Sequence, residues 1–177
     1  MFIIPGALIS VLTFPGVIVH EAAHMLACKL RNVAVLDVCF FRFGNPAGYV
    51  IHEEVNNFNS AFLISVGPFL LNSVLCILIC FPSYLPIQFF GLTHPLSYIL
   101  VWLGVSIGMH SFPSNQDAKN LLYYARKEVK EFNLLAIISF PIVLIIFIAN
   151  LLSFFWIDYI YGIWLGYFLP SLIYTIT

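Results

Sequence analysis

Charged side chains are scarce in this chain of 177 residues, of which only 8% are Asp, Glu, Lys or Arg. Hydrophobic residues make up 62% and the mean hydropathy is +1.00, so polar residues are too few to cover a water-soluble globule of this length. No basic cluster with interleaved aromatic residues is present, which argues against a nucleic-acid partner. We therefore predict an integral protein of the cell membrane whose surroundings are the lipid bilayer.

Cysteine is also scarce. Its four positions are Cys28, Cys39, Cys76 and Cys80. The first two fall in a region predicted to face the cytoplasm, where disulfides are disfavoured, and the other two lie four residues apart in an apolar run. We interpret all four as packing residues. No disulfide framework is predicted.

Apolar segments divide the chain into four or five predicted membrane spans, each compared with the ~20 residues that a helix needs to cross the hydrocarbon. These segments cover residues 2–27, 61–81, 96–112, 134–155 and 159–175. Pro5 and Pro15 predict bends in the first span. The fifth is short and contains Gly162, Gly166 and Pro170, so whether it crosses is left open. The predicted fold class is an all-α polytopic membrane protein with a small β-hairpin.

The basic residues predict the orientation in the membrane, because cytoplasmic loops retain Lys and Arg. They fall in two loops, with Lys29, Arg31 and Arg42 after the first span and Lys119, Arg126, Lys127 and Lys130 after the third. All seven lie on the cytoplasmic side if the N-terminus faces outward. We predict that orientation. The oligomeric state is not predicted.

Residues 33–52 predict the hairpin. Apolar and β-branched runs flank the sequence Gly-Asn-Pro-Ala-Gly at residues 44–48, a composition typical of a turn. Such a hairpin at the cytoplasmic interface could present a strand edge to an extended peptide, or it could only pack over the helices. The residues favour neither alternative.

His20, Glu21 and His24 form an HExxH motif inside the first apolar run. Residues four apart lie on one face of a helix, about 6 Å apart along its axis, so both imidazoles can reach one metal ion. Glu21 projects alongside, near enough to act on a metal-bound water. Because ionisable groups at membrane depth are costly, they tend to mark function, and we predict a metal site here. His24 is about 7 Å of helix rise from Lys29, so the site would lie near the cytoplasmic face.

Two histidines leave a catalytic zinc site incomplete, since such sites generally have three protein ligands and a water. Asp117 follows the third span at the matching depth, and we predict it as the third ligand. Ser114-x-x-Asp117 also has the pattern of a capping box that begins a cytoplasmic helix through Ala125. His110 is the competing ligand, or a hydrogen-bonding partner of Asp117 or substrate.

The remaining histidines and glutamates are weaker candidates. His52 is expected in the hairpin region, and His94 lies on the outer side in the predicted topology. Glu53, Glu54, Glu128 and Glu131 are expected to be solvated charges of loops or helix faces; Glu131 lies outside the residues that the structure describes.

Together these features resemble the site-2 protease family of intramembrane zinc metalloproteases, also called the M50 type. The resemblance covers residues 14–122 and includes Gly67-Pro68 and Asn72, similar to the family's Gly-Pro-x-x-x-Asn segment. It implies that His20, His24 and Asp117 bind Zn²⁺, that Glu21 is the general base and that Asn72 is a polar catalytic helper near substrate. Ala118 follows Asp117 where the family typically has Gly. From the residues alone, Asn72 could instead bond a neighbouring helix.

The resulting functional hypothesis is zinc-dependent peptide hydrolysis near the cytoplasmic face, with a transmembrane protein or peptide as substrate. Residues 1–177 would form a single membrane domain, with a catalytic core at 2–122 and C-terminal helices at 134–175. Two alternatives stay open. One is a zinc hydrolase that acts on a lipid or small substrate, and the other is a non-catalytic membrane regulatory protein with a vestigial metal site.

Overall fold

In the computed structural model, which describes residues 6–55, 57–90, 94–129 and 133–176, the chain is mostly helical with one two-stranded antiparallel sheet. The elements in chain order are α1 Gly6–Leu12, α2 Phe14–Leu30, β1 Val35–Cys39, β2 Tyr49–His52, α3 Phe58–Phe90, α4 Pro95–Met109, α5 Asn115–Glu128, α6 Leu134–Leu152, a 3-10 turn Ser153–Phe155, α7 Ile157–Ile163, a π-helical turn Trp164–Phe168 and α8 Leu169–Ile176. The predicted combination of helices with one small hairpin is confirmed.

Within the described residues, two helices are long and apolar enough to cross a membrane. They are the Phe58–Ser83 part of α3, with 26 residues and a mean hydropathy of 2.3, and α6, with 19 residues and a mean hydropathy of 2.8. The apolar helices Pro95–Met109 and Ile157–Ile173 are shorter. The structure thus supports a membrane protein on the length and composition of two helices.

The first predicted span is divided into α1 and α2, which meet at Thr13. Pro15 lies in the first turn of α2, where its missing N–H costs no helical hydrogen bond. The Thr13 hydroxyl donates to the carbonyl of Ile9 (2.7 Å) and closes the end of α1. The helix is interrupted next to Pro15, one of the two prolines from which bends were predicted, and α2 continues beyond the predicted end to Leu30. Residues 2–5 of that span, and Lys130 of the second basic loop, lie outside the described residues.

The fifth predicted span corresponds to α7, the π-helical turn and α8, and its glycines are buried. A Cβ added at Gly162 would approach the Val105 carbonyl oxygen (2.9 Å) and the Met109 amide (3.0 Å). One at Gly166 would approach the sulfur of Cys80 (2.8 Å). These glycines therefore allow the last helical segment to pack closely on α4 and α3.

Helix α2 packs against both α3 and α4, and it approaches α4 closely at Gly16. The Gly16 amide donates to Ser106 Oγ (3.2 Å), and that hydroxyl donates to the Thr13 carbonyl (2.9 Å). A side chain at Gly16 would collide with the Ser106 backbone and with the ring of His110. This close crossing brings the histidine face of α2 to the C-terminal end of α4.

The hairpin lies against α2, and its strands pair Val38 with Val50 and Cys39 with Tyr49. An irregularity between Val35 and Asp37 interrupts the register. Across the turn, the Arg42 amide donates to the Ala47 carbonyl (2.7 Å). Residues 40–48 therefore connect the strands as the turn composition predicts.

Candidate metal centre

His20 and His24 project from the same face of α2, as their spacing predicts. Their Nε2 atoms are 3.2 Å apart, and the two rings meet edge to face with centroids 4.8 Å apart. His24 is buried and His20 is partly buried. The two imidazoles thus meet within the protein rather than at its surface.

Backbone carbonyls orient both rings through their other nitrogen. His20 Nδ1 lies 2.6 Å from the carbonyl oxygen of His110, and His24 Nδ1 lies 2.9 Å from that of Ile64. A carbonyl only accepts, so each Nδ1 donates, and each neutral imidazole presents its Nε2 lone pair. Two lone pairs 3.2 Å apart repel each other unless a cation lies between them. Backbone carbonyls commonly orient metal-binding histidines in this way.

Asp117 completes the cluster from the first turn of α5. Its Oδ2 atom lies 3.6 Å from His24 Nε2. The same oxygen accepts hydrogen bonds from the Ser114 amide (2.8 Å) and the Ser114 hydroxyl (2.6 Å). The Ser114 hydroxyl in turn accepts from the Asp117 amide (3.2 Å), so the predicted capping box is confirmed. Asp117 therefore takes part in the helix cap and also lies near the histidines, and its hydrogen bonds to Ser114 orient its carboxylate.

The donor atoms have separations that suit one metal ion. In a tetrahedral site with bonds of about 2.0–2.1 Å, neighbouring donor atoms are roughly 3.3 Å apart. The two Nε2 atoms are 3.2 Å apart, and one ligand atom from each of His20, His24 and Asp117 lies within 4.8 Å of the others. Three protein ligands leave a position open for water or substrate. The residues therefore fit a divalent metal, and the structure brings together the three predicted ligands.

Glu21 lies beside this cluster, beneath the hairpin. It is 9% exposed, and a Cβ added at Gly48 would lie 2.7 Å from its Cγ atom. Its carboxylate is close enough to Asp117 for electrostatic interaction. Among residues 6–55, 57–90, 94–129 and 133–176, it has no hydrogen-bonding partner. The Glu21 carboxylate is thus sheltered next to the three candidate metal ligands, and its oxygens are free to accept a proton.

His110 contributes its backbone carbonyl, whereas its ring points elsewhere. It is the C-cap of α4, and its Nε2 atom lies 2.8 Å from Thr13 Oγ1. In the described part of the chain, the group of potential metal ligands contains Asp117 and not His110. The sequence pointed to the His110 imidazole as a possible ligand and gave no sign that the His110 backbone carbonyl orients His20, because any residue type can supply a carbonyl.

Asn72 is fully buried on α3 and is linked to the candidate ligand His20 through a shared backbone carbonyl. Its Nδ2 atom donates to the same His110 carbonyl (2.8 Å) that receives His20 Nδ1. Its Oδ1 atom has no partner within the described ranges. The amide is therefore placed to position His20 through the His110 carbonyl. A direct contact of Asn72 with substrate stays a prediction.

The other histidines serve local structure. His52 Nδ1 lies 2.7 Å from the Glu53 carbonyl oxygen at the end of the hairpin. His94 is the N-cap of α4 and accepts from the Leu96 amide (3.2 Å). Neither belongs to the group of potential metal ligands found in the described part of the chain.

A cavity of about 300 Å³ borders the cluster between the end of β2, the beginning of α3 and α5. Its wall includes Asp117 and Ile64, whose carbonyl orients His24. Among the described residues, the lining consists of His52, Glu53, Glu54, Val55, Ala61, Ile64, Ser65, Asp117, Asn120, Tyr123 and Tyr124. Partial burial raises the pKa of Tyr124, so its hydroxyl stays neutral and can accept from the Val55 amide (3.3 Å).

Comparisons of the chain with protein-family models, with curated proteins and with solved structures gave no match, so the interpretation of this site depends on its geometry.

Proposed function

We propose that this protein is an intramembrane zinc metalloprotease that hydrolyses peptide bonds of membrane-protein substrates near the cytoplasmic face. One observation carries the proposal: two oriented imidazole lone pairs and one carboxylate converge beside the sheltered Glu21. A His/His/Asp donor set with an open position is typical of catalytic zinc. The spacing of His20, Glu21 and His24 is that of HExxH metalloproteases.

The membrane part of the proposal is that the chain crosses four or five times with its N-terminus outside. Two long apolar helices support this proposal. One of them, α6, also exposes the large side chains Leu144, Ile145 and Leu151, which water would solvate poorly. The segment after the hairpin and helix α5 border the same cavity, so the end of the first basic loop lies near the helix that carries Lys119, Arg126 and Lys127. That proximity supports placing both on the cytoplasmic side.

In this mechanism His20, His24 and Asp117 would hold the zinc ion. Zinc supplies Lewis-acid chemistry, lowering the pKa of a water and polarising a carbonyl. Glu21 accepts a proton on its carboxylate as the water attacks the peptide carbonyl carbon, and later delivers that proton to the leaving amine nitrogen. Burial of Glu21 limits competing solvent, while the backbone carbonyls keep both imidazoles in the ligating tautomer.

The hairpin is proposed to hold the substrate as an extended segment. A transmembrane helix must be unwound locally before its peptide bonds can be cut, and a strand edge can bind an extended chain through backbone hydrogen bonds. The contact of Gly48 with Glu21 supports this role, because it sets the hairpin directly beside the proposed general base.

The test is the Glu21→Gln variant, which keeps the size of the side chain and removes its ability to accept a proton. We expect zinc stoichiometry equal to that of the wild type and cleavage of membrane-spanning peptides in proteoliposomes reduced by about 100-fold or more. Asp117→Ala should instead lose zinc. Equal cleavage by the wild type and Glu21→Gln would contradict the protease proposal.

A further inference from the structure

The cavity beside Asp117 has an acidic rim. Glu53 and Glu54 are exposed where β2 leads into α3, and both line the cavity together with Asp117. No lysine or arginine lines it, and neither glutamate makes an ion pair within the described residues. These two glutamates also do not group with other potential metal ligands in the described part of the chain. The rim thus places two glutamate side chains that make no ion pair in the described residues beside Asp117.

The same cavity is also lined by a serine whose hydroxyl has no partner in the described residues. Ser65 is only 3% exposed, lines the cavity and has no side-chain hydrogen bond within the described ranges. By contrast, the Ser60 and Ser73 hydroxyls on the same helix are both hydrogen-bonded. Ser65 Oγ is not one of the fully buried polar atoms without a partner in the described residues, so this hydroxyl faces the open space of the cavity and is available to bond a polar group of a ligand.

We propose that this cavity binds the part of the substrate on the cytoplasmic side of the cut bond and that it takes a lysine or arginine side chain. Glu53 and Glu54 face the cation, and Ser65 bonds a peptide group. The proposal rests on the proposed proteolytic function. Membrane proteins carry Lys and Arg next to the cytoplasmic ends of their spans, so a substrate offers a cation at the depth where this cavity opens.

The charge dependence can be measured by binding, independently of catalysis. The probes are three fluorescent synthetic peptides with one shared apolar helix and a cytoplasmic flank of two Arg, two Gln or two Glu residues. Dissociation constants are measured with the zinc-loaded Glu21→Gln full chain in bilayer nanodiscs, so that the metal site is filled and no peptide is cut. We expect the Arg peptide to bind about fivefold to tenfold tighter than the Gln peptide, since paired charges at a half-open site add modestly, and the advantage should shrink at high salt.

Two variants and a matched control test the residues. The double variant Glu53→Lys with Glu54→Lys should reverse the order and favour the Glu peptide. Ser65→Ala should weaken all three peptides by a similar factor. Glu128→Gln removes a negative charge from α5 away from the cavity lining and should leave the order unchanged.

Equal binding of the three peptides by the zinc-loaded Glu21→Gln chain, or an unchanged order in the double lysine variant, would overturn the cation subsite. Zinc-loaded wild-type protein separates this failure from that of the proposed function. Cleavage of all three peptides with the same kcat/KM would refute the cation subsite and would be consistent with the proposed protease function. Preferential binding of the Arg peptide without cleavage of any peptide would refute the proposed protease function and would support the cation subsite.

Discussion

Replacing Ser114 by Ala tests whether the helix cap of α5 is also part of a metal centre. The Ser114 hydroxyl donates to Asp117 Oδ2 at 2.6 Å and accepts from the Asp117 amide at 3.2 Å. Ser114→Ala removes both bonds and keeps the Ser114 backbone amide, which donates to the same oxygen at 2.8 Å. The carboxylate therefore loses one of two donors and becomes less well oriented.

Two effects with different magnitudes follow. Loss of an N-cap hydroxyl lowers the free energy of unfolding by about 1 kcal/mol. Loss of a hydrogen bond that orients a metal ligand weakens metal binding by about 10–100-fold. Because the backbone donor remains, we expect zinc affinity to fall by about tenfold, which corresponds to about 1.4 kcal/mol. Asp117→Ala, which removes the ligand itself, should have a larger effect on zinc.

The matched control is Asn133→Ala, which removes the cap of α6. Asn133 Oδ1 accepts from the Leu135 and Ala136 amides at 3.1 and 3.4 Å. Both variants should lose similar stability in denaturant titrations in detergent, whereas only Ser114→Ala should lose zinc affinity in a competition titration with a chelator. Equal zinc affinity of Ser114→Ala, Asn133→Ala and the wild type would refute the idea that the cap orients a ligand.

Two further substitutions separate positioning from chemistry. Asn72→Ala should weaken zinc binding by about tenfold, because the His110 carbonyl that orients His20 loses its second donor; unchanged zinc affinity with lost cleavage would point to direct substrate contact by Asn72 instead. Gly48→Ala should reduce kcat by about tenfold at full zinc occupancy. The reason is that the new methyl group would displace Glu21 or the hairpin and so misplace a catalytic group. Gly44→Ala is its control, since a Cβ there meets only the Arg42 side chain at 3.9 Å, and an equal loss in both glycine variants would argue against the Glu21 contact.

Local sequence patterns predicted the parts of the site that depend on near neighbours. The spacing of His20 and His24 placed both rings on one helix face, and Ser114-x-x-Asp117 predicted the capping box. The turn composition at residues 44–48 predicted the hairpin. Each of these depends on helix periodicity, a cap or a turn, and so on residues within one or two turns of the chain.

Element boundaries were predicted less well. The hydropathy of residues 2–27 predicted one bent span, whereas the chain forms two helices that meet at Thr13. The second predicted span, residues 61–81, is part of a helix that extends to Phe90. Hydropathy reports which residues avoid water and does not report where backbone hydrogen bonding stops, so it cannot define helix ends.

The sequence by itself determined the residue types of the candidate metal site, the helical spacing of the histidines and the apolar character that indicates a membrane. Only the tertiary structure decided how those residues are oriented. His20 is held by a carbonyl 90 positions away and His24 by one 40 positions away, and the close crossing at Gly16 brings α2 to α4. A backbone carbonyl has the same chemistry in every residue type, so its role at a site depends on packing and leaves no pattern in the sequence.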